Sequence, residues 1–414
     1  MKQLVRYFKT ISTAISIACL WAIFVTVAIS SAYSSDNDSL DLTVTKFLDS
    51  LSFNYKGFDI KVMEVSVGEE FDDNVTYNEK NQVEDFITTL GSGLGVKYEG
   101  KTRSLEFLGK AKGRIYAENP DFNNITEELL LNFVNEFSRN DRIRLRDDFI
   151  HSDEPLFYRE DFFSEQFGRT QGRFEYFRNN FHIDYAKDIS KQLTVITKYD
   201  NSVNIFSGIE DSDNLENSVL NNPGFEIDYL FSSTTTSLFS YDFINRRFEG
   251  GEDASINKIT AGIRQYITKK LYFDGRAGFD FIDSYDDKST TKPVIFTSIA
   301  YQKDTDTVAS ISFDRQDTTS PYVVDVFENW RTTLSLKRQL MERFQGSLSI
   351  FYGEGEYMSS NFKTRLTGAN ATFKYDINQN LRGTFTYTYS HDNTSSEDLG
   401  YTKNTVFFGL AASF

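Results

Sequence analysis

The chain has 414 residues and a formal net charge of −16 at pH 7, with 39 Phe and 23 Tyr but only 5 Pro and a single Cys. An acidic chain with no basic tract is not built to neutralise phosphates, which excludes nucleic-acid binding as its main role. The one cysteine, Cys19, lies in an apolar leader, so once that leader is removed disulfides, thiol catalysis and cysteine metal sites are excluded as well.

That leader comes first in the chain. Lys2, Arg6 and Lys9 precede an apolar run from Ala14 to Ile29, and Ser30-Ser31-Ala32 follow. A basic start, an apolar core and small residues at the end predict a secretory signal peptide over residues 1–32, cut after Ala32. Retention as a membrane anchor is the alternative. A lipoprotein site at Cys19 is not expected, because Leu20 to Ile29 stay apolar where such a site turns polar. Residues 33–57 form a short, acidic, weakly patterned periplasmic segment. It is too short to fold as a plug.

From residue 58 to residue 414 one unit recurs: an alternating run of about ten to fourteen residues, a short polar turn, another run, a longer polar loop. In Leu105–Ile115, the residues Leu105, Phe107, Ala111 and Ile115 share one face, while Glu106, Lys110, Lys112 and Arg114 share the other. In Leu271–Phe281, Leu271, Phe273, Ala277, Phe279 and Phe281 oppose Tyr272, Asp274, Arg276 and Asp280. Period two with one apolar face means strands. Strands of soluble sandwiches average about five or six residues. These runs are nearer the roughly nine to eleven that a tilted strand needs to cross a bilayer.

Eighteen strands are predicted, with sixteen the alternative count. The least regular are the fourth (Glu127–Ser138), eighth (Gly224–Ser232) and ninth (Thr236–Phe248). The thirteenth and fourteenth are placed at Asp306–Gln316 and Asp325–Lys337. The last, Thr402–Phe414, sets Val406, Phe408, Leu410, Ala412 and Phe414 on one face. Its terminal Phe after alternating apolar residues resembles the ending of bacterial outer-membrane barrels. A free edge of this kind needs a partner, and within a bilayer only closure pairs every edge. The expected fold is therefore all-β: a transmembrane antiparallel β-barrel of about eighteen strands over residues 58–414. Its place is the outer membrane of a Gram-negative bacterium, and it is wide enough to hold water. Short turns alternate with longer loops such as Asp72–Glu84, Asp153–Gly172, Ser207–Val219 and Asp392–Tyr401, and the longer ones belong outside.

Few residues suggest catalysis. Of the three histidines, His182 falls on a polar face two residues from Asp184, and a solvated pair is the simpler reading. Glu69-Glu70-Phe71-Asp72-Asp73-Asn74 and Glu210–Asn214 could offer oxygen ligands to calcium. Neither has the spacing of a calcium loop, and both read as solvated acidic loops. No catalytic residue, metal site or cofactor is expected.

The inward charges carry more information. Early strands place Lys110, Lys112, Arg114, Arg144, Arg146 and Arg178 on their polar faces. Later strands place Glu226, Asp228, Asp242, Asp274, Arg276 and Asp280 there, with Arg264 mixed in. In a closed barrel these two groups oppose one another. Basic against acidic gives a transverse field across a wet pore; the alternative is that each charge pairs with a neighbour on its own wall. A register slip of one residue would reverse every face, but three cations facing lipid would cost about 2–4 kcal/mol each near the midplane. Tyr266, Tyr272, Phe351 and Phe407 also fall on polar faces, where they could stack on sugar rings or fill space. Within Asp153–Gly172, the residues Phe157, Tyr158, Phe162, Phe163 and Phe167 form a possible constriction loop.

Val65-Ser-Val-Gly-Glu-Glu-Phe-Asp-Asp-Asn74, a polar loop, and Glu84-Asp-Phe-Ile-Thr-Thr-Leu-Gly-Ser-Gly-Leu94 resemble the opening hairpin of a family of outer-membrane β-barrel porins often encoded with exopolysaccharide synthesis and export genes. The rest of the chain fits that family in general pattern. The resemblance implies an outer-membrane passage for polysaccharide or a related solute, and supplies no catalytic residues. The function expected is a porin-like channel for hydrophilic solute, with outer-membrane lipid, the barrel-assembly machinery and polysaccharide export components as partners. The alternative is a surface-exposed structural or receptor barrel closed by its own loops.

Overall fold

The computed structural model describes residues 53–55, 57–153, 163, 167–168, 173–207, 215–284, 289–304, 306–321, 324–360, 362–395 and 400–413. The leader with Ala32 and Cys19, the acidic run 210–214, and Phe157, Tyr158 and Phe162 of the long loop lie outside these residues.

Among these residues nineteen strands form one sheet. A short β1 (Phe53–Tyr55) precedes eighteen long strands. These are β2 (Phe58–Asp72), β3 (Asp85–Glu99), β4 (Arg103–Tyr116), β5 (Asn124–Ser138), β6 (Asp141–Ser152), β7 (Glu175–Asp188), β8 (Leu193–Ser207), β9 (Ser218–Ser232) and β10 (Thr235–Phe248). They continue with β11 (Asp253–Tyr266), β12 (Leu271–Asp283), β13 (Ser289–Gln302), β14 (Thr307–Thr319), β15 (Val326–Met341), β16 (Phe344–Tyr357), β17 (Lys363–Asp376), β18 (Leu381–Thr394) and β19 (Tyr401–Ala412). Each of the long strands pairs antiparallel with the next, and β19 returns to β2 from Thr405↔Asp72 to Ala412↔Val65. The result is a closed eighteen-strand transmembrane barrel. β1 folds back on the first residues of β2, Phe53↔Ile60 to Tyr55↔Phe58, and so covers edge groups of β2 beyond the end of β19.

The two faces follow from the register. Starting at Arg114 and stepping across paired residues gives one continuous inward set: Thr89, Gly68 and Gly409 in one direction, Asn124 in the other. The other set is apolar and exposed, as in Phe86 at 59%, Phe279 at 55% and Phe408 at 58%. No aqueous fold leaves such a belt uncovered; hydrocarbon accepts it. Aromatic pairs mark its borders: Phe71 with Phe86 and Trp330 with Tyr352 towards the long-loop end, Phe58 with Tyr98 and Phe344 with Tyr375 towards the end bearing the termini. We call the long-loop end the upper end.

The strands run from 12 to 16 residues, longer than a crossing requires. Their upper ends carry outward polar groups such as Glu69, and the Arg365–Glu354 pair at 2.7 Å, and so rise above the apolar band. Several predicted boundaries shift. β9 starts at Ser218 and not at Gly224, because Leu220 faces in while Asn221 and Pro223 face out, which inverts the usual polarity over its first turns. β11 starts at Asp253, and β14 and β15 run on to Thr319 and Met341.

The run from Glu69 to Asn74 is not a solvated loop. Glu70 and Asp72 are 1% and 0% exposed. Arg114 donates to Glu70 at 3.0 Å, Lys403 pairs with Asp72 at 2.6 Å, and the Asn404 amide donates to Asp73 at 2.7 Å. These pairs tie the closing joint, where only eight residues of β19 meet β2.

Candidate functional site

The lumen has two unlike walls. β4–β12 form the charged one. Lys110, Lys112, Arg114, Arg144, Arg146, Arg178, Glu226, Asp228, Asp242, Asp274, Arg276 and Asp280 all lie on the inward register. They do not form two opposed blocks. Asp242 pairs with Lys198 at 2.7 Å, Glu226 with Arg276 at 2.8 Å, and Asp274 with Arg264 at 2.7 Å. Lys258 stands 3.9 Å from Asp280, Arg144 bonds Asp184 at 3.0 Å, and Arg146 stands 3.8 Å from Asp148. The expected transverse field is therefore largely cancelled, because cations on β8 and β11 stand next to the acids of β9–β12. Lys198 and Lys258, which no motif in the sequence singles out, supply two of these cations. His182 sits between Asp200 at 2.5 Å and Asp184 at 3.2 Å. Both its nitrogens face carboxylates, an arrangement that holds a charge network and leaves no nitrogen to activate a serine.

The facing wall, β13–β18, is mainly neutral at mid-height, where its inward Arg331 is paired with Asp314 at 2.8 Å. Paired inward residues run Ser298↔Ser312, Ser310↔Ser335, Ser335↔Ser349, Ser347↔Thr372 and Thr372↔Thr386. Asn370 donates to Thr388 at 2.7 Å, and Thr372 donates to Asn370 at 3.1 Å. This is a ladder of small neutral groups that both donate and accept hydrogen bonds. No single motif announces it; the signal lies in serines and threonines at period two across six successive strands.

Near the upper end the lumen is narrowed by apolar side chains. The loop after β6 sends Phe163 and Phe167 against Phe327, Phe351, Tyr357 and Leu366. Those four sit on β15–β17, and β15 is the ninth strand after β6 in a ring of eighteen, so the loop crosses to the opposite side. Its rings lie 5.8 Å (Phe163–Phe351) and 5.1 Å (Phe167–Phe327) from their partners. The receiving wall is built for them. A Cβ at Gly353 would stand 2.8 Å from Phe167, and one at Gly368 would collide with Phe163. Gly168, at φ +83°, turns the chain after Phe167, and the Tyr357 hydroxyl donates to its carbonyl. Phe351 is thus covered by the loop and is not available for stacking on a solute. Phe407 lies under Lys112, whose Nζ is 5.2 Å from the ring centroid, while Tyr266 remains open near the lower end.

Arg173 holds the returning base of this loop and was not anticipated. It donates to Asp153 at the departing base, to the Phe122 carbonyl at 2.9 Å and to the Tyr116 hydroxyl at 3.0 Å, and it lies over both rings. A lone arginine in a polar loop gives no sequence signal of its own. Three further apolar clusters ring the mouth: Val75 with Ile87 and Tyr116, Ile150 with Phe174 and Phe206, and Val326 with Ile256 and Ile282. At the lower end a recess of about 750 Å³ opens among Asn140, Gln192, Thr194, Asp228 and Thr236.

No family model and no curated protein sequence matches the chain. Among solved structures it is similar to OpdQ of Pseudomonas aeruginosa, at 8% identity and a TM-score of 0.47 over 86% of this chain and 99% of that one. OccAB3 of Acinetobacter baumannii aligns at 8% identity and a TM-score of 0.44, over 85% of this chain and 98% of that one. The siderophore receptor PirA from Acinetobacter baumannii aligns at 9% identity and 0.44, over 85% and 80%. The barrel assignment rests on the chain's own sheet register.

Proposed function

We propose that the protein is an outer-membrane channel for hydrophilic solute, with the upper end outside and the termini in the periplasm. The observation that carries this reading is the lumen wall: charged and hydroxyl groups line a closed eighteen-strand barrel below an apolar collar. A barrel that served only as a scaffold has no need of so polar an interior. We further propose a neutral, polyhydroxylated solute, including polysaccharide. The Ser/Thr/Asn ladder on β13–β18 supports it, since such groups exchange hydrogen bonds with sugar hydroxyls without the cost of desolvating ions. The resemblance of the Val65–Leu94 hairpin points the same way. Lipid, the barrel-assembly machinery and periplasmic export components are the proposed partners, and no catalytic role is proposed.

A second reading, a receptor or structural barrel closed by its loops, is favoured by the four apolar clusters around the mouth. Single-channel recording in planar bilayers separates the two. Steady conductance from the full chain, reduced by added oligosaccharide, is the result expected of a saccharide channel. Absence of conductance, both in the full chain and in a variant lacking most of residues 154–172, would leave the closed barrel.

A further inference from the structure

The wall has an open joint. β13 and β14 pair only from Ile295↔Arg315 to Gln302↔Val308. Both strands continue upward. β13 remains paired with β12 as far as Asp283↔Ser289, and β14 with β15 as far as Thr319↔Val326. Only the joint between them is undone. Pro293, two residues above the last pair, has no N–H to offer a ladder.

Above that point β14 and β15 lean into the lumen. The Asp317 amide donates to Asp280 on β12 at 3.1 Å, and Lys258 on β11 donates to Gln316 at 3.2 Å. Arg246 on β10 donates to Thr319 at 3.2 Å, four strands away round the wall. Val326, fully buried, seats on Ala254, Ile256 and Ile282. This inward position is not fully satisfied. Asp317 is 0% exposed and neither of its carboxylate oxygens has a hydrogen-bond partner, although Arg315 stands 3.8 Å from one of them; Oδ1 of Asp280 also has no hydrogen-bond partner. A buried carboxylate left this way works against the position that buries it.

We propose that the upper ends of β14 and β15 are a gate, swinging between this inward position and a wall position in which β14 completes its ladder with β13. Continuing the register upward sets Pro293 opposite Asp317 and Thr291 opposite Thr319. Asp317 then faces outward near the rim, where water solvates it. Pro293 weakens the completed ladder by one hydrogen bond, and the apolar seat of Val326 favours the inward position, so neither state dominates by construction. Lys292 reaches Glu328 across the joint at 2.9 Å, and Arg315 bonds both Glu328 and the Pro293 carbonyl, which latches the open joint while the gate is in. Outward movement also carries Phe327 away from Phe167, which couples the gate to the crossing loop.

The gate rests on the channel reading, so its test reports strand position and conductance separately. In the full chain with Cys19→Ser, two cysteine pairs are made: Thr291→Cys with Thr319→Cys to trap the wall position, and Ile256→Cys with Val326→Cys to trap the inward one. Disulfide formation is read by mass spectrometry on folded protein, and conductance in planar bilayers. Both disulfides are expected to form, with conductance at least about fivefold higher in the wall-trapped form, and reduction restores wild-type behaviour. If the 256/326 pair closes fully and the 291/319 pair never closes, or if both trapped forms conduct alike, the gate is overturned. If both disulfides form and no form conducts, the channel reading has failed and the gate falls with it. Val326→Asp gives a check without disulfides. It removes the apolar seat and is expected to raise conductance several-fold; unchanged conductance from this variant also overturns the gate.

Discussion

Lys403 shows what single residues do in this wall. Its ammonium contacts Asp72 at 2.6 Å and the Asn74 carbonyl at 3.0 Å, and lies 3.8 Å from the Tyr77 ring centroid. Lys403→Met leaves Asp72 buried without that cation, which costs about 3–5 kcal/mol. We expect a lower temperature for loss of the folded form on heat-modifiability gels, with part of the loss restored by adding Asp72→Leu. Gly368 makes the complementary point. An alanine there forces Phe163 out of its seat, an overpacking cost of roughly 1–3 kcal/mol. The loop and not the wall should yield, because β17 is hydrogen-bonded along both edges. Gly368→Ala is expected to raise conductance while leaving barrel melting within a few degrees of wild type, measured on the same preparations.

Among the elements, the loop between β6 and β7 depends on its anchor. Arg173 makes charge-assisted bonds worth roughly 1.5–3 kcal/mol, and it joins that loop to Tyr116 at the end of β4 and to Phe122 of the β4–β5 connection. Arg173→Ala is expected to free the loop base, speed proteolysis within residues 154–172 and make single-channel currents larger and noisier. Limited digestion followed by bilayer recording checks both. Cleavage and current unchanged from wild type would mean that the far-wall seat of Phe163 and Phe167 holds the loop by itself.

At the scale of the molecule, the pairing of lumen charges sets the selectivity expected of the proposed channel. Because Arg264 and Arg276 stand against Asp274 and Glu226, the pore should discriminate weakly between cations and anions. Replacing both arginines by alanine leaves Glu226, Asp228 and Asp274 uncompensated. The reversal potential across a tenfold salt gradient is then expected to move towards cation selectivity. Single cysteines test the register over the whole wall. Those at Lys110, Arg144 and Asp274 should react with water-soluble reagents, and those at Phe107, Leu145 and Phe273 only with lipid-soluble ones.

The amino-acid sequence by itself determined the class of fold, the strand count and most inward residues. Period-two alternation is a local property, and lipid penalises a wrong register so heavily that Lys110, Lys112 and Arg114 alone orient β4. β16 and β17 begin and end where alternation begins and ends. The inverted start of β9 was not legible, because Leu220 and Asn221 break the pattern locally. Tertiary structure alone decided which charges cancel, that the loop after β6 seats its phenylalanines on β15–β17, and that the upper ends of β14 and β15 leave the wall. Each depends on residues distant in sequence meeting across the lumen. Phe163 meets Gly368, Thr319 meets Arg246, and Val326 meets Ile256 only once the ring has closed.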